Sequence, residues 1–232
     1  MTFFLNRLLK KIGFSDFSAW LFIRELRLLK VRIFSLISLK QRIAMRHAKE
    51  KNGLKVNLAC GNFANEGWIG IDSSFQSRAD WYLDMRNGLP LPDQSCSNLF
   101  CEHFLEHLSY PEEVKRFLAE CYRVLKMDGI LRIIVPDAEK FVRAYAGGDT
   151  SFLLRASPNS DSPMEALNSI FYGDPLGEHR YAYDFNTLKQ LLESAGFRNV
   201  EVSEPGKGSI ASALDRQDIP RVMESFYVEA TR

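Results

Sequence analysis

Residues 102–108 read EHFLEHL, that is Glu102-His103-Phe104-Leu105-Glu106-His107-Leu108. Two histidines and two glutamates in seven residues admit two readings, and the choice between them decides the fold. His103-x-x-Glu106-His107 has the residue order of an inverted zinc-protease helix. That reading needs the stretch to lie inside a helix, with both imidazoles on one face and a third ligand such as Glu178 from downstream. In the other reading the stretch ends a buried strand at 99–101, and residues 105–108 open the helix that follows, Leu105 and Leu108 packing inward.

The flanking sequence favours the second reading. Short apolar runs at 54–60 (LKVNLAC), 68–71 (WIGI) and 81–83 (WYL) end in Gly61, Asp72 and Asp84. Pro111 opens an amphipathic helix whose apolar stripe is Val114, Phe117, Leu118, Cys121, Tyr122 and Leu125. Asp128-Gly129 then turns the chain into a strand at 130–135 (ILRIIV), stopped by Pro136-Asp137. A helix over 186–195 capped by Gly196, a strand at 200–202 and a last strand at 225–230 complete the series. Short apolar strands alternating with helices predict an α/β fold, a parallel sheet covered on both faces.

Such sheets bind ligands beyond the carboxyl ends of their strands. Gly61, Asp72, Asp84, Glu102/His103 and Pro136/Asp137 occupy those ends. Glycine lets a backbone approach a ligand closely. An acid after the second strand accepts from a ribose diol, and one after the third strand can accept from an adenine amino group. Only ten residues separate Gly61 from Asp72, whereas a crossover with a full helix takes about a dozen or more. The first crossover helix is therefore expected to be absent or one turn long, with part of residues 17–50 covering the sheet face it leaves bare.

The chain's 232 residues suit one α/β domain with an appendage. The net charge of +1 hides a division: residues 1–51 hold 12 Lys/Arg against 3 Asp/Glu, and the remainder hold 18 against 26. A basic extension over 1–50 thus precedes an acidic domain over 51–232, which carries a capping insertion at about 146–183. Phe4, Leu5, Leu8, Leu9 and Ile12 fall on one side of a short helix that Gly13 breaks, and a second helical stretch covers 17–48. The longest charge-free runs there, 17–23 and 33–39, have seven residues each, too few for a membrane span of about twenty and too interrupted for a signal peptide. Docking on the domain or a partner subunit competes with peripheral attachment to an anionic membrane face; nucleic-acid binding is disfavoured, since no module for it is recognisable. Cys60, Cys96, Cys101 and Cys121 form no CxxC pair, which suits reduced thiols in a cytoplasmic protein.

VNLACG, GWIGID, LDMRNGLPLPDQS, EHFLEHL, ECYRVLKMDGILRIIVPD and LKQLLESAGF, in this order, resemble the class I S-adenosylmethionine-dependent methyltransferases. The similarity is greatest to the methyltransferase type 11 group, which includes members found with surface-polysaccharide synthesis, and it covers about 54–203. It implies a Rossmann-like parallel-sheet three-layer sandwich with a helical basic N-terminal extension, and S-adenosylmethionine as cofactor. It also implies site residues: Leu58, Ala59, Cys60 and Gly61 facing the methionine part, Asp72 on the ribose, Asp84 and Met85 at the adenine, and Glu102 and His103 beneath the cofactor. His107, His179, Asp137 and Tyr181 would be near the acceptor, with His107 or His179 as general base, residues 173–183 as a lid, and no metal.

The chain departs from the family pattern where Asn57 stands near an acidic position, Ala59 where glycine is common, and Ser97 where aspartate is usual. Three functional readings follow. One is methyl transfer to a small-molecule or glycan-precursor acceptor, most simply O-methylation. A second is a non-catalytic relative held at a membrane as a partner of another enzyme. The third is a zinc hydrolase using His103-x-x-Glu106-His107.

Overall fold

A computed structural model describes residues 2–63, 65–173, 178–210, 214–216 and 218–232. Among them seven strands form one sheet: β1 (Leu54–Leu58), β2 (Ile69–Asp72), β3 (Trp81–Tyr82), β4 (Cys96–Glu102), β5 (Leu125–Pro136), β6 (Arg198–Ser203) and β7 (Ser225–Thr231), in the order β3-β2-β1-β4-β5-β7-β6. The first five are parallel, Val56 lying beside Ile69 on one side and Leu99 on the other. β7 runs antiparallel to both β5 and β6. The sheet is thus Rossmann-like and mostly parallel, and the expected parallel sheet holds except at this edge.

Side chains of a strand alternate between two faces. On one face Val56, Leu58, Leu99, Cys101, Leu131 and Ile133 join the main core, with Val114, Phe117, Leu118 and Cys121 of α4 (Glu112–Val124) and Leu188, Leu191 and Leu192 of α8 (Phe185–Ser194). On the other face Phe100, Ile134 and Tyr227 pack with Trp68 and Leu214. The 61–68 crossover holds no helix among its described residues, as its length requires. The N-terminal segment does not cover the face beneath it: Ala48 and Met45 of α3 (Leu39–Lys49) join the main core on the opposite side. The bare face is closed by Trp68 and by the C-terminal segment that carries Leu214 and Asp215. The expectation that residues 17–50 cover it is corrected on that ground.

Arg132 on β5 points into this second face and is fully buried, with Nε donating to Asp215 Oδ1 (2.8 Å) and Nη2 to Asp215 Oδ2 (2.5 Å). Its Nη1 also reaches Glu229 Oε1 (3.2 Å). A guanidinium so placed is tolerated only because every side of it meets an acceptor.

The N-terminal segment folds as α1 (Thr2–Lys11), α2 (Asp16–Ile37) and α3. The helix expected over 17–48 is broken at Ser38, which ends α2 in an extended conformation and caps α3 by accepting from Gln41 N–H. Gln41 then serves the sheet edge: its amide donates to Tyr82 O (3.1 Å) and accepts from Tyr82 N–H (2.9 Å). Phe34 of α2 meets Phe75 and Tyr82 edge-on. Past β5, α5 (Ala138–Ala146), α6 (Thr150–Ala156) and α7 (Pro163–Tyr172) enclose a small core of Phe141, Leu153, Ala156, Ala166 and Ile170.

Asp215→Ala leaves Arg132 charged and buried with one carboxylate removed. It is expected to lower unfolding free energy by about 3–5 kcal/mol, measured by urea denaturation.

Candidate functional site

A cavity of about 890 Å³ opens beyond the carboxyl ends of β2, β3 and β4. Its floor is Ser73, Ser74, Asp84, Met85, Phe104 and His107; its roof is α2, through Trp20, Ile23, Arg24, Leu28 and Val31. The volume suits a nucleoside-sized or drug-sized ligand.

Asp84 fastens the roof. Its side chain is 2% exposed. Oδ2 accepts from Arg32 Nε (2.9 Å) and Arg86 Nη2 (3.0 Å), and Oδ1 from Arg86 Nε (3.0 Å) and Arg86 N–H (3.2 Å). Burial alone would raise its pKa; the hydrogen bonds from Arg86 and Arg32 outweigh that and hold it below the ordinary aspartate range. Arg86 reaches on to both oxygens of Glu25, again on α2 (2.9 and 3.1 Å), and Arg24 donates to His107 O (3.2 Å). Four acceptor positions of a carboxylate are thereby filled. The role expected for Asp84, accepting from an adenine amino group, is corrected: those acceptors hold arginines.

Asp72 is placed differently. It accepts from Gly61 N–H (2.9 Å) on one oxygen and Ser74 N–H (2.7 Å) on the other, joining the loops after β1 and β2. Among the described residues no other donor reaches it, so one lone-pair position remains on each oxygen, which fits a ribose diol. Leu58 is buried in the main core, and Ala59 and Gly61 both take left-handed backbone (φ 58° and 53°). Ala59 holds this conformation where glycine would do so without the strain of about 1 kcal/mol or more that a Cβ brings. Cys60 is buried, its thiol pushed up to about 12 by desolvation, and its Sγ lies so near Gly70 that a Cβ there would meet it at 2.9 Å.

The EHFLEHL stretch is not a helix. Leu105–His107 is one 3₁₀ turn, Leu108 is extended, and α4 starts at Glu112. His103 has φ 48° and sends its ring toward the C-terminal part of the chain. Its Nδ1 meets Arg221, and its Nε2 faces Ser225 Oγ at 2.8 Å. Burial and then Arg221 depress its pKa well below the usual histidine value, so it is neutral. Glu102 pairs with Arg221 Nε (3.1 Å), and burial raises it to about 7. Both residues bind α9 (Ile219–Glu224) and neither lines the cavity. The single-face His103/His107 pair of a zinc-protease helix is absent, and that reading of the motif is corrected.

Glu106 is the more isolated acid. It is 1% exposed, burial pushes it up to about 8, and neither carboxylate oxygen has a hydrogen-bond partner among the described residues. His103 Nδ1 lies 3.3 Å from Oε1, but that nitrogen accepts from Arg221 and has no proton to give. Beside Glu106, His107 Nδ1 meets Glu178 O (3.2 Å) and His179 Nδ1 meets Ile170 O (2.8 Å), with the two rings 5.1 Å apart. Gly173 makes room for His179, since a Cβ there would meet the ring at 2.9 Å. Tyr181 stacks on Tyr110 (3.9 Å between rings). Asp137 caps α5 by accepting from Lys140 N–H (3.1 Å). Part of the expected lid, residues 174–177, lies outside the described residues.

Of the residues expected at the site, Asp84, Met85 and His107 line the cavity, Asp72 adjoins it through Ser73 and Ser74, and His179 and Tyr181 gather beside His107. The sequence reading missed Arg24, Arg32 and Arg86, whose partners lie 83, 52 and 2 residues away. It placed Glu106 only in the His103-containing motif and not beside His179, from which 73 residues of sequence separate it.

Residues 73–133 match a family model described as a methyltransferase domain, that of the type 11 group. A protein of Mycolicibacterium smegmatis named a probable S-adenosylmethionine-dependent methyltransferase is 25% identical over 147 residues, 62% of this chain and 46% of its own length. The chain therefore spans about half the length of the curated relative it matches. Two solved structures are similar. A SAM-dependent methyltransferase from Archaeoglobus fulgidus has 21% identity over 85% of this chain and 94% of that one, with a TM-score of 0.48. A SAM-dependent methyltransferase from Thermotoga maritima, described as a possible histamine N-methyltransferase, has 18% identity over 87% and 94%, with a TM-score of 0.49. The family match and the curated relative support the resemblance read in the sequence, to class I methyltransferases of the type 11 group, whose cofactor is S-adenosylmethionine.

A carboxyl whose folded pKa is raised holds its proton more tightly folded than unfolded, so its contribution falls as pH rises from about 4.5 toward 8. Glu106→Gln mimics the protonated form. In EDTA, the variant is expected to gain on the order of 3 kcal/mol of stability relative to the parent between pH 5 and pH 8.5, read from denaturation curves at both values.

Proposed function

We propose that the protein transfers a methyl group from S-adenosylmethionine to a hydroxyl of a small molecule or glycan precursor held beneath α2. The observation that carries this reading is the cavity at the strand ends, with Asp72 beside it still able to accept two hydrogen bonds. Asp72 and Ser74 suit the ribose, Met85, Leu28, Val31 and Phe104 supply apolar walls for a flat ring, and Arg24 and Arg27 offer charge to a carboxylate. The cofactor supplies the methyl on a sulfonium, and the protein's part is alignment and proton removal. With Nδ1 against the Glu178 carbonyl, His107 carries its proton there and keeps Nε2 as the basic nitrogen, the form a general base requires. His179 has the same arrangement against Ile170. Tyr181, on Tyr110, is the platform for the acceptor.

The N-terminal helices support a second part of the reading, peripheral contact with an anionic membrane on the cytoplasmic side. No helix among the described residues is long and apolar enough to cross a membrane. Leu36, Ile37 and Leu39 are each about 70% exposed, beside exposed Lys40 and Arg42, the composition of an interfacial surface. A role in polysaccharide synthesis follows only from the resemblance.

S-adenosylhomocysteine titrated into EDTA-treated protein in a calorimeter is expected to bind with micromolar affinity, weakened at least about tenfold in Asp72→Ala, a loss of about 1.4 kcal/mol or more; circular dichroism checks that the variant is folded. No binding to the parent would leave the non-catalytic relative as the surviving reading. Sedimentation with vesicles tests the second part: capture by anionic but not zwitterionic vesicles is expected, and Leu36→Asp/Ile37→Asp should abolish it.

A further inference from the structure

We infer that Glu106, His107 and His179 form a binding site for one divalent transition-metal ion, a two-histidine, one-carboxylate set. One ligand atom of each residue lies within 4.8 Å of the others. The histidines are prepared in the way that metal-bound histidines are. Each turns Nδ1 to a backbone carbonyl, Glu178 O for His107 and Ile170 O for His179. That contact fixes the tautomer, directs the ring and leaves Nε2 as the donor. His107 Nε2 lies 3.9 Å from Glu106 Oε1. Donors on a tetrahedral ion at about 2.0–2.1 Å lie a little over 3 Å apart, so modest side-chain movement closes the set.

The second, independent observation is the carboxylate itself. Glu106 is buried, yet neither oxygen finds a hydrogen-bond donor among the described residues. A buried polar group left in that state is uncommon and destabilising, and a cation at this point would supply the missing partner. The backbone around it is held firmly: Glu106 O accepts from Arg180 N–H (2.6 Å) and Tyr181 N–H (3.4 Å), which fastens the segment bearing His179 to the turn bearing Glu106 and His107. Gly173 allows the His179 ring its place. Three protein ligands leave positions open to solvent or an oxygen ligand, and imidazole with carboxylate suits zinc, iron(II) or nickel. The site differs from the His103-containing motif, because the His103 nitrogens are engaged by Arg221 and Ser225.

The proposal stands independently of the cofactor reading, since no residue of the ion site is needed to hold the ribose. It bears on proton removal, because one Nε2 lone pair serves either a base or an ion.

Untagged full-length protein, stripped with EDTA and dialysed, is titrated with Zn²⁺ in a calorimeter and with Co²⁺ in a spectrophotometer. One ion per chain is expected, with micromolar or tighter affinity and the visible bands of low-coordinate cobalt. Glu106→Gln and His179→Ala should each weaken binding at least about tenfold, while His47→Ala, on the exposed face of α3, should not. The four cysteines are buried and do not compete. His179→Ala alters a half-buried side chain, so it tests the site even if Glu106→Gln fails to fold. Absence of binding, or binding that both variants retain, overturns the proposal. Loss of zinc binding with S-adenosylhomocysteine binding intact separates this site from the cofactor site.

Discussion

The arrangement of the site depends on one carboxylate. Asp84 stands at the end of β3 and is gripped by Arg86 from its own loop and by Arg32 from α2. Arg86 then reaches Glu25, another α2 residue. This chain of charges crosses from the sheet to the helix above the cavity. It is mostly buried at Asp84 and more exposed toward Glu25, so its strength is concentrated at the Asp84 end, where solvent screens least. Without it α2 would rest on the Phe34 contacts, the Arg24 bond to His107 O, the Arg180 contacts with Phe17 and Trp20, the Gln41 pairing of the adjoining α3 and the apolar side chains over the cavity.

That anchoring changes what the basic N-terminal segment is. Its arginines are not simply a charged surface. Arg24, Arg32 and, through Arg86, Glu25 are spent on the domain, while Lys40, Arg42 and the apolar residues near Ser38 remain outward. A single segment can therefore roof a ligand cavity with one face and offer the other to a surface. A helix that did both would couple occupancy of the cavity to attachment.

The turn after β4 shows how two nearly adjacent acidic residues come to different ends. Glu102 lies against Arg221, and Glu106 lies within a shell of apolar atoms and imidazoles. Both are raised, because burial outweighs what their neighbours return. His103 stands between them, neutral, its left-handed backbone sending its ring toward α9. The 3₁₀ turn, tighter than an α-helix, separates His103 from His107 and frees His107 to meet His179.

Local patterning determined the order of elements: the strands ending at Gly61, Asp72 and Asp84, the α4 stripe, the β5 run, and the lack of a helix among the described residues between β1 and β2, which followed from chain length alone. The resemblance to class I methyltransferases, and the cofactor it implies, were readable from short motifs in sequence order, because each motif sits at a strand end whose chemistry is local. Tertiary structure alone decided the rest. The antiparallel β7, the closure of the second face by the Arg132–Asp215 pair, the reach of Arg32 to Asp84 and the meeting of His107 with His179 all join residues about 50 to 100 positions apart. No periodicity along the chain encodes those meetings. They are set by where the sheet places each strand end and by which charges burial forces to find partners.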